Sequence, residues 1–210
     1  MLYSEFQQSN IRLFSSHNER AINKNIRRRV VLLTLSIFEM LQKAYLLTGS
    51  NRGNRLEMLD QARQYIDQQA VKILASSSLY ETAPWGFHDQ IHFLNQAHCI
   101  ETFLSPNDLI AFLLQIESNM GRTREGQKYT GRLIDIDILL YANQIVDQEH
   151  LKIPHPRMHN RRFTLVPLAE IAGNIMHPVL NLSISELLEL CSDTREVRLF
   201  ETKPLTLNTK

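Results

Sequence analysis

A chain of 210 residues with 43% apolar and 21% charged side chains can bury one sizeable core and has the composition of an ordinary globular protein. Its formal charge of +1 argues against a surface that coats nucleic acid, although local basic patches remain possible. Its two cysteines, Cys99 and Cys191, lie far apart and outside any C-x-x-C motif. They indicate neither a disulfide framework nor a zinc site, and they fit a reducing cytoplasm.

The first 39 residues differ from the rest of the chain and are predicted to be a poorly ordered extension. Their longest apolar run, VVLLTLSIF at 30–38, is about half the length needed to span a bilayer. It follows three arginines but precedes no small-residue cleavage site, so we expect neither export nor a membrane anchor. Either this extension is dispensable, or residues 30–38 pack against the domain that we expect over 40–202. Residues 203–210 would be a short tail.

Regular patterns begin at residue 44. The predicted strands are AYLLTG (44–49), VKILASSSLYET (71–82), FLNQAHCIETF (93–103), GRLIDIDILLY (131–141) and REVRLF (195–200). The predicted helices are 55–69, 105–120, 164–172 and 184–191. Ser105 is a good N-cap, and Pro106 suits the first helical position. The order β-α-β-β-α-β predicts an α+β fold, the ferredoxin-like plait, with helices packed on a mixed or antiparallel sheet.

The fourth predicted strand carries two aspartates within an apolar run. Because side chains alternate along a strand, both aspartates project to the same side, with their Cα atoms roughly 6.6 Å apart. The predicted core-facing side is Ile134, Ile136, Ile138 and Leu140, and the opposite side is Leu133, Asp135, Asp137, Leu139 and Tyr141. Two carboxylates that lean toward one point can share cations, and oxygen ligands favour Mg²⁺. The alternative is that the aspartates face solvent or pair with arginine.

The loop before this strand, GRTREGQKYTGR (121–132), is basic. Its cations are Arg122, Arg124, Lys128 and Arg132, set against the single anion Glu125. A charge run is commonly a solvated surface. Next to paired carboxylates, a loop that contacts phosphate groups is the favoured interpretation.

Four blocks accompany the aspartates in order: TGSN (48–51), ETAPWGFHDQIHFLNQA (81–97), IESNMGR (116–122) and IPHPRMHNRRFTLVPLAEIA (153–172). With these blocks, residues from about 44 to 175 resemble the 6-hydroxymethyl-7,8-dihydropterin pyrophosphokinase family of the folate pathway. The resemblance implies transfer of pyrophosphate from ATP to the hydroxymethyl group of a reduced pterin, with release of AMP. It also implies that Asp135 and Asp137 hold two Mg²⁺ ions that bridge the ATP phosphates.

The resemblance assigns roles to further residues. Arg122 and Arg132 would act in catalysis. The residues that it implies for ATP are Glu117, Arg124, Lys128, His155 and Arg161. Those that it implies for the pterin are Gly49, Ser50, Asn51, Thr82, Pro84, Trp85, Phe93, Asn95 and Phe163. YTGR (129–132) departs from the W-G-P-R that is frequent in the family, which leaves the order of the loop and the rate open rather than the reaction type.

Two other classes fit less well. Nucleotidyltransferases also combine a G-S turn with an Asp-x-Asp strand, but in that class the turn lies shortly before the acidic pair. Here Ser50 and Asp135 are 85 positions apart, which argues against that class. An RNA-binding plait would carry an R/K-G-F/Y motif on a central strand, and the sequence contains none. We therefore expect a cytoplasmic monomer that binds ATP and a reduced pterin, with neither nucleic acid nor membrane as a partner.

Overall fold

The computed structural model describes residues 41–68, 70–83, 91–121 and 133–201. The predictions for the extension 1–39, for the basic loop from Arg122 to Arg132, for Pro84 and Trp85, and for the tail 203–210 therefore lie outside the described residues. Residues from 42 onward belong to one structural unit.

Eight strands and four helices are described in this unit. The strands are β1 (Gln42–Ser50), β2 (Val71–Ser76), β3 (Tyr80–Thr82), β4 (Phe93–Thr102), β5 (Asp135–Tyr141), β6 (Val146–Asp147), β7 (Lys152–Ile153) and β8 (Val197–Leu199). The helices are α1 (Arg55–Ile66), α2 (Pro106–Asn119), α3 (Arg162–Ala172) and α4 (Ile184–Glu189), with a 3₁₀ turn at Met158–Asn160. None of these helices has the length and apolar character needed to cross a membrane.

The main sheet confirms the predicted plait. Its strand order is β5-β1-β4-β3-β8, with β2 also paired to β4, and its neighbours run antiparallel. The predicted strand 71–82 is in fact two strands, β2 and β3. The break falls at Ser77, whose hydroxyl accepts a hydrogen bond from the Ala97 N–H at 3.0 Å and so takes a position that a backbone carbonyl holds in a continuous ladder.

The helices α1, α2 and α4 begin where the sequence predicts them to begin, whereas α3 begins at Arg162, two residues before its predicted start. The Ser105 hydroxyl accepts a hydrogen bond from the Asp108 N–H at 3.2 Å, and Pro106 occupies the first turn of α2. Ser183 and Glu186 form a reciprocal capping box at the start of α4. These caps fix the first turn of helices that pack on opposite faces of the sheet.

Each face of the sheet has its own apolar core. One core packs α1 and α2 against the sheet through residues such as Leu59, Leu113 and Ile136. The other packs α3 and α4 through residues such as Leu165 and Leu187. We call these the α1–α2 face and the α3–α4 face.

The predicted alternation along β5 is correct up to Leu139 and wrong for Leu140 and Tyr141. A β-bulge in the pairing with β1 leaves Leu139 as an extra residue, because Ile138 pairs with Leu46 and Leu140 with Tyr45. Leu139 and Leu140 therefore both join the core of the α3–α4 face. Tyr141 is turned to the α1–α2 face, where its hydroxyl donates to the Leu104 carbonyl at 2.6 Å.

Candidate active site

The predicted pterin and metal residues meet where three neighbouring strands lie side by side. Gly49 on β1 pairs with Asn95 on β4 and, on its other side, with Asp135 on β5. Since adjacent strands are about 4.8 Å apart, this row is roughly 10 Å long between Asp135 and Asn95. Residues that are distant in sequence are thus placed within the length of a small substrate.

Asp135 and Asp137 are half-buried and lie on the same side of β5, as predicted. A cleft of about 500 Å³ runs beside them, between β5 and α2. It is lined by Asn107, Ile110, Ala111, Leu114 and Glu117 of α2, by Asp135, Ile136 and Asp137 of β5, and by His150. Two carboxylates therefore border an indentation that is large enough for a ligand.

Glu117 forms the link between α2 and the aspartate strand. Its side chain is only 2% exposed, and its Oε1 accepts a hydrogen bond from the backbone N–H of Ile136 at 2.7 Å. β5 ends the strand order of the sheet, so this N–H points away from β1 and would otherwise require water. The carboxylate thus holds the backbone between the two aspartates in place.

His155 is held against β5, close enough to Arg161 and Asp135 for their charges to act on its ring. The His155 N–H donates to the Leu139 carbonyl at 2.9 Å, which fixes this segment to β5. Burial lowers the pKa of His155 to about 4, with the Arg161 and Arg157 guanidiniums acting in the same direction and Asp135 opposing them. The ring is therefore neutral at pH 7. Its Nδ1 accepts from the Arg157 N–H at 3.3 Å, so Nε2 carries the proton and can donate.

Gly49 and Asn95 approach each other very closely. A Cβ placed on Gly49 would be 2.9 Å from the Asn95 Oδ1 and 3.8 Å from the Phe93 Cδ1, so this position has no room for a side chain. Asn95 is 3% exposed, and its Nδ2 donates to the Thr82 hydroxyl at 2.8 Å. The Thr82 side chain therefore sets the orientation of the Asn95 amide.

The two aromatic residues that the resemblance implies for the pterin border the same face of the sheet. Phe93 is half-buried and shares a face of β4 with Asn95, two residues further on. Phe163 lies in the first turn of α3 and packs against the core of the α3–α4 face. The Arg161 guanidinium lies 5.5 Å from the centre of the Phe163 ring, a cation–π distance.

Ser50 and Asn51, which the resemblance implies for the pterin, are fully buried at the end of β1. The structure thus brings together ten of the predicted residues around the row that runs across neighbouring strands of the sheet. These are Gly49, Ser50, Asn51, Thr82, Phe93, Asn95, Glu117, Asp135, Asp137 and His155, with Arg161 and Phe163 at the start of α3. Pro84, Trp85, Arg122, Arg124, Lys128 and Arg132 lie outside the described residues.

His150 and Asn107 line the cleft without having been predicted. The His150 Nε2 lies 3.0 Å from the Asn107 Oδ1, so a residue after β6 meets the first turn of α2. No local pattern joins positions 43 residues apart. A partial signal was present in α2, where Ile110, Leu114 and Glu117 recur at helical spacing and form one wall of the cleft.

The comparisons with known proteins agree on one family. Residues 45–173 match the family model described as 7,8-dihydro-6-hydroxymethylpterin-pyrophosphokinase (HPPK). The chain is 40% identical over 157 residues to the 2-amino-4-hydroxy-6-hydroxymethyldihydropteridine pyrophosphokinase of Haemophilus influenzae, a match that covers 74% of this chain and 97% of that protein.

Longer relatives match over only part of their length. The chain is 39% identical over 152 residues to the folic acid synthesis protein fol1 of Pneumocystis carinii, covering 72% of this chain and 20% of that protein. The wild-type HPPK-DHPS structure of Plasmodium falciparum has the same fold, with a TM-score of 0.57 at 17% identity, over 71% of this chain and 44% of that one. The chain thus spans about a fifth of the first relative and less than half of the second.

The fold and the site define a plait enzyme that carries paired carboxylates beside a ligand-sized cleft. The chain belongs to the 7,8-dihydro-6-hydroxymethylpterin-pyrophosphokinase family. It is a pyrophosphokinase of folate biosynthesis.

Proposed function

We propose that the chain transfers pyrophosphate from ATP to the hydroxymethyl group of 6-hydroxymethyl-7,8-dihydropterin, giving the pterin diphosphate and AMP, with two Mg²⁺ ions at Asp135 and Asp137. The observation that carries this proposal is the row of Asp135, Gly49 and Asn95 across three neighbouring strands. It sets a carboxylate pair and a closely fitted amide roughly 10 Å apart. A pterin that occupies the Asn95 end would direct its alcohol toward the aspartates.

The donor set fits Mg²⁺. Among residues 41–68, 70–83, 91–121 and 133–201, no three His, Cys, Asp or Glu side chains converge on a position for a metal ion. Mg²⁺ in phosphoryl-transfer sites takes one or two carboxylates and completes its shell with water and substrate phosphates. When bound, it would neutralise the charge of those phosphates. Asp135 and Asp137 would hold it, and Glu117 fixes the strand from which both project.

The cleft between α2 and β5 would take the nucleotide. Its volume of about 500 Å³ and its mixture of apolar and polar lining residues suit a ligand of that kind. Ile110 and Leu114 offer an apolar wall, and Asp135 and Asp137 lie at its border. The neutral His155 can donate from Nε2 to a phosphate oxygen, and Arg161 adds a positive charge nearby.

The pterin would lie flat between Phe93 and Phe163, with its amide edge against Asn95. An amide side chain offers a donor and an acceptor, which matches the alternating edge of a pterin. Phosphoryl-type transfer needs positioning and charge neutralisation more than covalent help from the protein. Arg122 and Arg132 would stabilise the charge of the transferred group, with Arg124 and Lys128 on the nucleotide phosphates, and Pro84 and Trp85 would contact the pterin edge.

The test is whether AMP release depends on the alcohol of the pterin. The full chain would be incubated with ATP, Mg²⁺ and 6-hydroxymethyl-7,8-dihydropterin, and the nucleotides would be separated by chromatography. The control replaces the pterin with its 6-methyl analogue, which lacks the accepting hydroxyl. We expect AMP only with the alcohol. Equal AMP release with both pterins, or release of ADP, would contradict the proposal.

We further propose that residues 40–202 carry this activity as a cytoplasmic monomer and that residues 1–39 are dispensable. The family match, which starts at residue 45, supports the first boundary. Expression of residues 40–210 separates the two alternatives. Full activity with an unchanged melting temperature supports dispensability, whereas aggregation or a melting temperature several degrees lower would show that residues 30–38 contribute to the fold. Size-exclusion chromatography with light scattering tests the monomer.

A further inference from the structure

The Glu170 carboxylate joins α3 to the segment that leads into β3. It accepts a hydrogen bond from the Ser78 N–H, at 3.0 Å to each oxygen, and one from the Ser78 hydroxyl at 2.9 Å. A further bond comes from the Tyr80 hydroxyl at 2.9 Å. Glu170 itself is exposed, and none of the roles proposed above uses it.

The two elements that Glu170 connects carry opposite walls of the proposed pterin slot. On α3, Phe163 precedes Glu170 by seven residues, so the two side chains share one face of the helix. On β3, Tyr80 precedes Thr82 by two residues, so these side chains share one face of the strand. Thr82 in turn holds the Asn95 amide. A bond between Glu170 and Tyr80 therefore ties the aromatic wall to the amide wall.

The fold around these residues is secured without Glu170. The Ser77 N–H donates to the Ala97 carbonyl at 2.9 Å, and the Ser77 hydroxyl accepts from the Ala97 N–H at 3.0 Å. The Ser77 carbonyl accepts from the Gln96 side chain at 2.7 Å. The helix α3 is packed by Leu165 and Leu168, which are both fully buried. The groups that would lose this partner are Ser78, which is exposed, and Tyr80, which is half-buried, so removal of the Glu170 carboxylate leaves no fully buried residue without its partner and costs little stability.

We propose that Glu170 is a positioning residue that sets the separation between the two walls of the pterin slot and thereby the affinity for the pterin rather than for ATP. This inference rests on the proposed function, because it assumes that a pterin stacks on Phe163 with its amide edge against Asn95. Tyr80 is the donor on the β3 side of this bridge. Its pKa is raised to about 12 by burial and then by the bond to Glu170, so the hydroxyl remains a donor throughout the working pH range.

The experiment compares four forms of the full chain with the wild type: Glu170→Gln, Tyr80→Phe, the double variant and Glu189→Gln. Glu189 is an exposed glutamate at the end of α4 and provides the matched control for the loss of a charge. Dissociation constants for 6-hydroxymethyl-7,8-dihydropterin would be measured by calorimetry with a saturating non-hydrolysable ATP analogue and Mg²⁺. The constant for the analogue would be measured separately, and melting temperatures would be recorded for each form.

We expect each single variant to weaken pterin binding by about threefold to tenfold, as the loss of one or two exposed charge-assisted bonds predicts. The double variant should bind the pterin with the same affinity as the single variant that loses more affinity, because both changes break the same bridge. Binding of the ATP analogue and all constants of Glu189→Gln should match the wild type. Pterin affinity within twofold of the wild type in both single variants, or equal losses for both ligands, would overturn the proposal.

Two further outcomes are decisive. If Glu170→Gln does not fold, Tyr80→Phe carries the test alone, since it removes one hydroxyl and keeps the ring. If the wild type neither binds the pterin nor releases AMP, the proposed function fails first and this inference falls with it. That failure is distinct from a wild type that binds the pterin and variants that bind it equally well.

Discussion

The two faces of the main sheet both hold polar side chains beside an apolar core, but they use them differently. On the α1–α2 face, His98 is fully buried, with Nε2 3.1 Å from the Thr48 hydroxyl and Nδ1 2.8 Å from the Ser76 hydroxyl. Asp135 and Asp137 project from β5 on the side of the α3–α4 face, are half-buried, and border the cleft that lies between β5 and α2. The His98 set forms its hydrogen bonds within the protein, whereas the aspartates border an open cleft, as the proposed ligand role requires.

The His98 network accounts for each of its protons. The Thr48 hydroxyl donates to the Gln96 carbonyl at 3.2 Å, so it accepts from the His98 Nε2–H, and the Ser76 hydroxyl donates to Nδ1. A neutral imidazole satisfies this arrangement completely, and such a group contributes to structure. The comparison teaches that burial of a polar residue does not by itself mark a site. What marks the site is the cleft that the polar residues line.

The largest expected effect lies at the aspartates. We expect Asp135→Ala or Asp137→Ala to lower pyrophosphate transfer by at least about 1,000-fold, because removal of a ligand leaves the ATP charge without its counter-ion. The melting temperature of the protein should be unchanged or raised, since two carboxylates on one face repel each other. AMP release at saturating Mg²⁺ and thermal denaturation provide the measurements. Asp60→Ala, at an exposed position on α1, is the control, and near-normal turnover of either site variant would refute the metal assignment.

The next largest effect is the loss of folding stability at acid pH that His98 causes on the α1–α2 face. Burial lowers the pKa of His98 from 6.5 to about 4, with the Arg63 charge on α1 contributing. The unfolded chain therefore binds a proton at higher pH than the folded chain does, so stability falls as the pH drops from about 6.5 to 4 and then levels off. The full shift corresponds to about 3 kcal/mol.

His98→Gln removes this titration and keeps a side chain that can form hydrogen bonds. We expect its free energy of unfolding to change less between pH 7 and pH 4 than that of the wild type, by about 3 kcal/mol, although it starts lower at pH 7. Denaturant titration at several pH values measures the difference. His92→Gln, at an exposed histidine, is the control. Equal pH dependence in wild type and variant, or loss of turnover at pH 7, would erase the contrast between the two faces.

The sequence predicts those features that depend on local pattern. Alternation places Asp135 and Asp137 on one side of a strand, and the Ser105-Pro106 pair marks the start of α2. The predicted order of strands and helices is likewise enough to specify the plait. Each of these depends on residues within a few positions of one another.

Features that depend on tertiary contacts were missed. The bulge at Leu139 places Leu140 and Tyr141 on the sides opposite to those predicted. It arises from the pairing of β5 with β1, whose register shifts by one residue at this point. The break at Ser77 depends on a bond to Ala97, twenty residues away. The bond from Ile136 to Glu117 also joins separate elements, so the sequence could suggest Glu117 for the site but not what it holds.

A smaller effect is expected from Gly49→Ala, which tests the close fit on the site face. The added Cβ would lie 2.9 Å from the Asn95 Oδ1, so the amide must move away from Thr82. We expect pterin binding to weaken about tenfold, as misplacement of a specific hydrogen-bonding group predicts. Calorimetry measures the dissociation constant for the pterin. A Gly173→Ala variant is unsuitable as a control, because a Cβ at Gly173 would also clash with its neighbours. Unchanged affinity would show that Asn95 does not contact the pterin.

The smallest expected effect tests whether Phe163 belongs to the site or only to the core. Phe163→Ala should weaken pterin binding about fivefold, since a stacking ring contributes about 1 kcal/mol. It also removes a ring from beneath the Arg161 guanidinium, so weaker binding of ATP would be an indirect effect. Phe163→Leu separates the two explanations because it keeps apolar volume against the core and removes the flat face.

If Phe163 forms a wall of the slot, Phe163→Leu should lose nearly as much pterin affinity as Phe163→Ala while retaining more of the wild-type melting temperature. Phe103→Ala, at a phenylalanine that is 46% exposed beyond β4, should leave the affinity unchanged. Should Phe163→Leu bind the pterin as the wild type does, the ring acts by filling volume alone. Phe163 would then belong with the residues that hold the sheet and α3 together, and Phe93 would be the remaining stacking face of the slot.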